Sequence, residues 1–339
     1  MRPPRGIARL VKPRGPARPV KPSRGLTRRA LSCALGAAVV GPFCGCASAQ
    51  TGALAPVALA PGVYAMHGSP GVADERNLGR IGNAGFIVGA RGVVVIDTGT
   101  SYAHGEALLA AIARVTDQPV RVALVSHTRP EFLFGGAAFR ARGIPVRMHR
   151  RTAGLMASRC DTCLKTLRDS IGEGPLRGTT MYSADELFDA THELDAIGRP
   201  VRVLYFGHSS GPGDIAVLDV TSGVLFAGGL LDARRIPDIQ DSDLPGWKRA
   251  LQALRGLGLR TVVPGHGAAS APQLIDNVER YLAQLETRVR AMVAAGDSLL
   301  GAADAVELPE FDRWDQYDTI HRRNVSIAFV RFERDLLFK

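Results

Sequence analysis

The chain has 339 residues and a formal net charge of +10, but this charge is concentrated at one end. Residues 1–49 contain ten basic side chains and no acidic one; removing these ten from the 42 basic residues leaves 32, equal to the 32 acidic residues. A nucleic-acid-binding domain would keep a basic surplus in its folded part. The composition therefore argues against nucleic acid as a partner, and the remaining length suffices for one large domain.

Residues 1–49 are predicted to be an export signal. A basic start is followed by an apolar stretch at 30–46 and by Ala47-Ser48-Ala49, a small-residue cleavage pattern. The apolar stretch is short and rich in Gly, Ala and Cys, which argues against a permanent membrane span. Arg28-Arg29 resembles a twin-arginine signal, while an ordinary secretory signal explains the same composition, so both routes stay open. We expect a periplasmic or secreted protein.

An Ala/Pro-rich lead-in at 50–61 is predicted to precede a single domain over 62–339. Taken in chain order, the apolar patterns predict a hairpin, a βαβ-like stretch, a long helix, three strands, a helix, a last strand and two helices. Strands are predicted at 84–88, 92–96, 120–125, 145–148, 201–206, 215–219, 224–226 and 260–263. Helices are predicted at 103–115, 136–141, 152–171, 246–256, 276–295 and 314–337. Two strand-rich halves, each followed by helices, indicate a layered α/β (α+β) fold with an αββα arrangement. Periodicity alone does not separate this from a doubly wound sheet.

Five segments at the ends of predicted strands carry the chemistry. They are Ile96-Asp97-Thr98-Gly99, the window from His127 to Phe132, Gly207-His208 with Gly213-Asp214, Leu225-Phe226-Ala227-Gly228-Gly229, and Pro264-Gly265-His266-Gly267. In this order and spacing they resemble the motifs of the metallo-β-lactamase superfamily, over about residues 62 to 295. Within it, the chain looks most similar to exported zinc metallohydrolases associated with quinoprotein systems. The resemblance implies an αββα four-layer sandwich, with Asp97 supporting the ligand loop.

The resemblance also implies where two zinc ions would be held. At the positions of the first metal's ligands, the chain has His127, Arg129 and His208. At the positions of the second metal's ligands, it has Glu131, Phe132 and His266. Gly229 occupies the position of the carboxylate that would bridge the two metals. The family's H-x-H-x-D-H is thus H-x-R-x-E-F. A guanidinium cannot ligate a metal, a phenyl ring has no lone pair, and glycine has no side chain. We therefore expect at most one zinc ion, held by His127, His208, His266 and Glu131.

Three interpretations of this pocket remain open, with Arg129, Glu131 and Asp97 as candidate catalytic residues. In the first, one metal-bound hydroxide attacks an ester, amide or thioester carbonyl that Arg129 polarises. In the second, Arg129 pairs with Glu131, replaces the metal's charge, and binds an anionic small molecule or supports a periplasmic partner protein without catalysis. In the third, Asp232 or Asp238 helps to form a displaced metal site.

Cys160 and Cys163 form a C-x-x-C motif inside the predicted helix 152–171. Such a motif is a redox pair, half of a zinc site or a local disulfide. There is no second cysteine pair for a zinc site, and the thioredoxin-like βαβ setting of a redox pair is lacking. In an oxidising compartment we expect a disulfide between Cys160 and Cys163, which would stiffen this helix between the two halves.

Overall fold

The computed structural model describes residues 54–338, so the predicted export signal lies outside the described residues. The strands of that range form two sheets. The seven-stranded sheet has the order β1 (Val57–Ala60), β2 (Val63–Met66), β3 (Ala84–Gly89), β4 (Gly92–Ile96), β5 (Val120–Val125), β6 (Val146–His149) and β7 (Glu186–Phe188). The five-stranded sheet contains β8 (His192–Glu193), β9 (Val201–Tyr205), β10 (Ile215–Asp219), β11 (Val224–Gly228) and β12 (Thr261–Pro264), in the reverse order.

The helices separate into a group before β7 and a group around and after β12. They are α1 (Tyr102–Ala113), α2 (Pro130–Leu133), α3 (Gly136–Arg140), α4 (Arg150–Ile171), α5 (Leu244–Arg255), α6 (Leu274–Ala295), α7 (Ala302–Ala305) and α8 (Arg322–Leu337). Helix α5 begins where the Asp243 side chain accepts a hydrogen bond from the Gly246 amide, and Pro245 occupies its first turn. Among residues 54–338, no helix combines the length and the apolar character that a bilayer crossing requires.

Three apolar clusters define four layers, as the sequence predicted. Along β4, Val93 and Val95 pack toward α1, α3 and α4, while Val94 and Ile96 pack toward the second sheet. This alternation is the period of two expected of a strand that is buried on both faces. The third cluster lies between the second sheet and helices α5, α6 and α8. The αββα arrangement is therefore confirmed.

Most predicted elements are present, and the differences have local causes. Strand β1 lies within the Ala/Pro-rich lead-in and pairs with β2, a short edge strand whose half-exposed residues leave no alternating pattern to detect. The predicted helix 314–337 begins later, because Gln316 has a left-handed backbone (φ 67°) and a π-helical turn at Tyr317–His321 leads into α8. The short strands β7 and β8 were also not predicted.

The topology brings several strand ends to one edge. Strands β4, β5, β6 and β7 run parallel to one another, and β11 runs parallel to β12. Their carboxyl ends point in common directions within each sheet, and the loops that follow β4, β5, β11 and β12 carry the motif residues. Open α/β sheets place their sites at such carboxyl ends.

Trp247 is the test residue for the outer layer of the second sheet. Its ring is fully buried, and its indole N–H donates to the Leu230 carbonyl at 3.0 Å. We expect Trp247→Ala to lower the free energy of unfolding by about 3–5 kcal/mol, because it leaves a cavity and an orphaned carbonyl. Urea denaturation measures this. Leu300→Ala, at a side chain that is 93% exposed, is the control and should change stability by less than about 0.5 kcal/mol.

Candidate functional site

The sequence-predicted site residues lie at one edge, each in the loop after a strand. Asp97 follows β4, His127 follows β5, His208 follows β9 and His266 follows β12. Glu131 lies in the first turn of α2. The structure therefore brings the motifs together, and the partner of each side chain decides what the site can do.

His127 is held by a buried carboxylate. Its Nδ1 lies 2.7 Å from Asp214 Oδ2, and the Ser210 hydroxyl donates to the same oxygen. Burial lowers the pKa of His127, but the Asp214 carboxylate outweighs it and the net pKa is raised. The Nε2 atom of His127 has no hydrogen-bond partner among the described residues, so it is the nitrogen left to face a ligand.

His266 lies between two carboxylates. Its Nδ1 is 2.8 Å from Asp232 Oδ1, and its Nε2 is 3.1 Å from Glu131 Oε1. Burial opposes ionisation, yet the two carboxylates raise the pKa of His266. Burial likewise raises the pKa of Glu131, but His266 and Arg129 together lower it to about 2. His266 thus lies where two carboxylates favour its protonated form.

Arg129 does not form its hydrogen bond with Glu131, as one interpretation had predicted, but with Asp238. Asp238 also accepts from Arg323 of α8. The charges of Arg129 and Arg323 lower the pKa of Asp238, although its burial acts in the opposite direction. Two guanidinium groups thus share one carboxylate. Sequence reasoning missed Arg323, because no pattern along the chain shows that α8 reaches this loop.

The other positions where the resemblance implies ligands hold different contacts. His208 Nε2 lies 2.6 Å from the Asp241 carbonyl oxygen, so this nitrogen donates to the backbone. The fully buried Phe132 ring packs edge-on against His127 (centroids 5.7 Å apart) and His266 (5.3 Å). A Cβ atom on Gly229 would lie 2.6 Å from His127 Nδ1, so the imidazole occupies the space of the bridging side chain.

Metal-ligating side chains are not grouped in the described part of the chain. Within residues 54–338, no group of three His, Cys, Asp or Glu side chains is arranged to hold a metal ion. The two candidates for a displaced metal site already have partners. Asp232 pairs with His266, and Asp238 pairs with Arg129 and Arg323. The polar residues at this edge thus pair with one another.

Asp97 supports the loop that carries His127. It accepts hydrogen bonds from the Ser126 amide (2.8 Å) and the Ser126 hydroxyl (2.7 Å), and it has a left-handed backbone (φ 63°), which is uncommon for a non-glycine residue. Burial raises the pKa of Asp97 to about 7, although both bonds from Ser126 favour the ionised form. Its contacts are to the loop, and the structure gives it a positioning role.

In the structure Cys160 and Cys163 are free thiols in α4, and the disulfide between them stays a prediction from the sequence. Residues three apart on a regular helix have Cβ atoms about 5–6 Å apart, whereas a disulfide brings them to about 3.5–4.5 Å. Closing the bond requires the helical turn to tighten. Cys163 lines a cavity of about 520 Å³ that Pro130, Glu131 and Arg159 also line.

Asp97 makes the stability of the protein depend on pH. Because the folded state binds this proton more tightly than the unfolded chain, the contribution of Asp97 to stability falls as pH rises from about 4 to about 7. We expect Asp97→Asn to remove this pH dependence. The difference in free energy of unfolding between the variant and the wild type should therefore change by on the order of 1–3 kcal/mol between about pH 4 and about pH 7. Urea denaturation at several pH values measures it. Asp117→Asn, at an exposed carboxylate, is the control, and parallel curves for Asp97→Asn and wild type would contradict the assignment.

Solved structures share this fold at low sequence identity. A metallo-β-lactamase from Pontibacter korlensis is 23% identical, with a TM-score of 0.55, covering 68% of this chain and 99% of that one. The metallo-β-lactamase FIM-1 from Pseudomonas aeruginosa, solved in a mono-zinc form, is 19% identical, with a TM-score of 0.55 and coverages of 68% and 95%. One from Erythrobacter litoralis is 18% identical, with a TM-score of 0.54 and coverages of 69% and 98%.

No curated protein sequence matches the chain significantly. The sequence profile of the metallo-β-lactamase superfamily, however, matches residues 78–266, which is more than half of the chain and spans the motifs from β3 to His266. The order of the motifs, the four layers and this match agree. The chain belongs to the metallo-β-lactamase superfamily.

Proposed function

We propose that this protein is an exported, metal-independent member of the superfamily that binds a small anionic ligand at Arg129. The observation that carries the proposal is the sharing of Asp238 by Arg129 and Arg323. Two permanent cations share this carboxylate, and the charges of Glu131 and Asp241 also act on Arg129. Superfamily members usually bind zinc, and here a guanidinium stands where one of the zinc ligands would be.

The side chains around Arg129 do not fit a zinc centre. Zinc requires neutral imidazoles and an open position, but His266 is paired on both nitrogens with carboxylates that favour its protonated form. An imidazolium has no free lone pair. Phe132 places an apolar ring against both His127 and His266. These contacts support the proposal that the metal motif is degenerate.

Arg129 and His127 are suited to an anion. The Arg129 side chain is 26% exposed, and among its nitrogens only Nη2 bonds to a described residue. The charge of Arg129 acts on His127, whose Nε2 is also without a partner among the described residues. A guanidinium fork matches a carboxylate or phosphate. Pro130 and Glu131, which follow Arg129 in the chain, line a cavity that Arg159 also lines, so a ligand at Arg129 would lie beside this cavity.

Export and the subfamily belong to the same proposal. The basic, apolar and small-residue segments of residues 1–49 support delivery to the periplasm or outside the cell. There, the ligand would be a small carboxylate or phosphate compound, and a periplasmic partner protein would be an accessory rather than the ligand itself. The similarity to quinoprotein-associated hydrolases remains a prediction from the sequence.

Metal content tests the proposal against a hydrolase with one metal. We expect the purified protein to hold less than about 0.1 zinc or iron per chain by mass spectrometry, even after incubation with either metal, because the imidazoles are engaged by carboxylates and a carbonyl. Near one metal per chain, lost in the His127→Ala/His208→Ala double variant, would instead establish the mononuclear hydrolase and overturn the proposal.

Anion binding tests the role of Arg129 directly. We expect titration calorimetry to detect binding of succinate or inorganic phosphate, and Arg129→Gln to weaken it about tenfold or more, because a charge-assisted hydrogen bond contributes about 1.5–3 kcal/mol. Arg150→Gln removes a similar guanidinium, paired with Asp189 on the surface, and should leave affinity unchanged. Absence of binding by the wild type, or equal affinity in Arg129→Gln, would refute the assignment.

A further inference from the structure

Cys160 and Cys163 form a dithiol whose two members have different surroundings. Cys160 is fully buried in the cluster beneath α4, while Cys163 is partly exposed and lines the cavity next to Glu131. They lie one helical turn apart on the same side of α4. A reactant in the cavity therefore reaches Cys163 first, with Cys160 directly behind it.

The electrostatic surroundings also distinguish the two thiols. The neighbouring Cys163 thiol and burial raise the pKa of Cys160. The Cys160 thiol and the charges of Arg129 and Arg159 lower the pKa of Cys163 to about 7, although burial acts against it. The other charged groups facing the pair are Asp161 on α4 and Glu131 on the cavity wall.

We propose that Cys163 and Cys160 form a redox-active dithiol site, in which Cys163 attacks an anionic low-molecular-weight disulfide bound in the cavity and Cys160 resolves the product. Arg159, which also pairs with Asp241, lines the cavity, and the charges of Arg159 and Arg129 act on Cys163. An anionic disulfide is the kind that these guanidinium groups attract. The site lies beside the anion contact proposed at Arg129, but its test measures the cysteine peptide and does not depend on that assignment.

The reaction balances with the disulfide as the oxidant. The Cys163 thiolate attacks one sulfur of the disulfide, that S–S bond breaks, and one thiolate leaves. Cys160 then gives up its proton, attacks the Cys163 sulfur and releases the second thiolate. The protein dithiol loses two electrons, the disulfide gains them, and the two protons of the protein thiols end on the two released thiols.

Oxidation must alter the cavity wall. Forming the bond draws the two Cβ atoms together from their helical separation of about 5–6 Å to about 3.5–4.5 Å. The turn that contracts carries Thr162 and Cys163, both of which line the cavity. The redox state of the pair is therefore expected to change the shape of the cavity beside Glu131.

The experiment uses the full chain and glutathione disulfide as the anionic probe. Trypsin cleavage after Arg159 and Lys165 releases both cysteines on one peptide, residues 160–165, which separates them from Cys33, Cys44 and Cys46. We expect mass spectrometry of this peptide to show loss of two hydrogens after incubation at pH 7.5. Iodoacetamide should alkylate Cys163 before Cys160, with a half-maximal rate near pH 7.

Variants separate the two roles. Cys160→Ala should accumulate glutathione bound to Cys163, and Cys163→Ser should react at least about tenfold more slowly, because a buried thiol with a raised pKa supplies little thiolate. Arg159→Gln should slow the reaction and Arg150→Gln should not. Thermal melting confirms that each variant is folded. Reaction of Cys160 first, or no disulfide in the wild-type peptide at any glutathione ratio, would overturn the proposal.

Discussion

Most charged groups at the site edge are largely buried, and this constraint decides how they are arranged. A buried charge is tolerated when it is paired and hydrogen-bonded. His127 therefore has Asp214, His266 has both Asp232 and Glu131, and Arg129 has Asp238. These pairs join loops from both sheets, so that the site and the packing of the two sheets hold each other in place.

This pairing changes what the family's site can do. A zinc ion in the ordinary centre supplies positive charge and needs neutral imidazoles around it. Here the positive charge belongs to side chains, and the carboxylates that surround them neutralise it in part. Arg129 stands out because its carboxylate partner is shared with Arg323. We propose that this edge binds an anion, since the fold alone does not determine the chemistry performed on it.

Helix α4 carries Cys160 and Cys163, for which we propose thiol–disulfide chemistry. It packs over the first sheet through residues such as Met156 and Leu167, and it presents Cys163 to the cavity that Glu131 borders. The same guanidinium groups that suit an anion also stabilise a thiolate. The positive electrostatic potential of these guanidinium groups therefore supports both proposed functions. Variants of Arg129 and of Cys163 separate the two functions.

Apolar alternation and motif order are local properties of the chain, so the sequence by itself predicted the strand ends that carry Asp97, His127, His208 and His266. The resemblance of these motifs to the superfamily implied the four layers. The sequence did not determine the partners. Asp232 and Glu131 enclose His266, and Arg323 reaches Asp238, because segments far apart in the chain come into contact. Helix geometry accounts for Cys160 and Cys163 being thiols in an unbroken helix. Side-chain pairing in a buried edge depends on which loops the packing brings within hydrogen-bond distance, and only the tertiary structure specifies that.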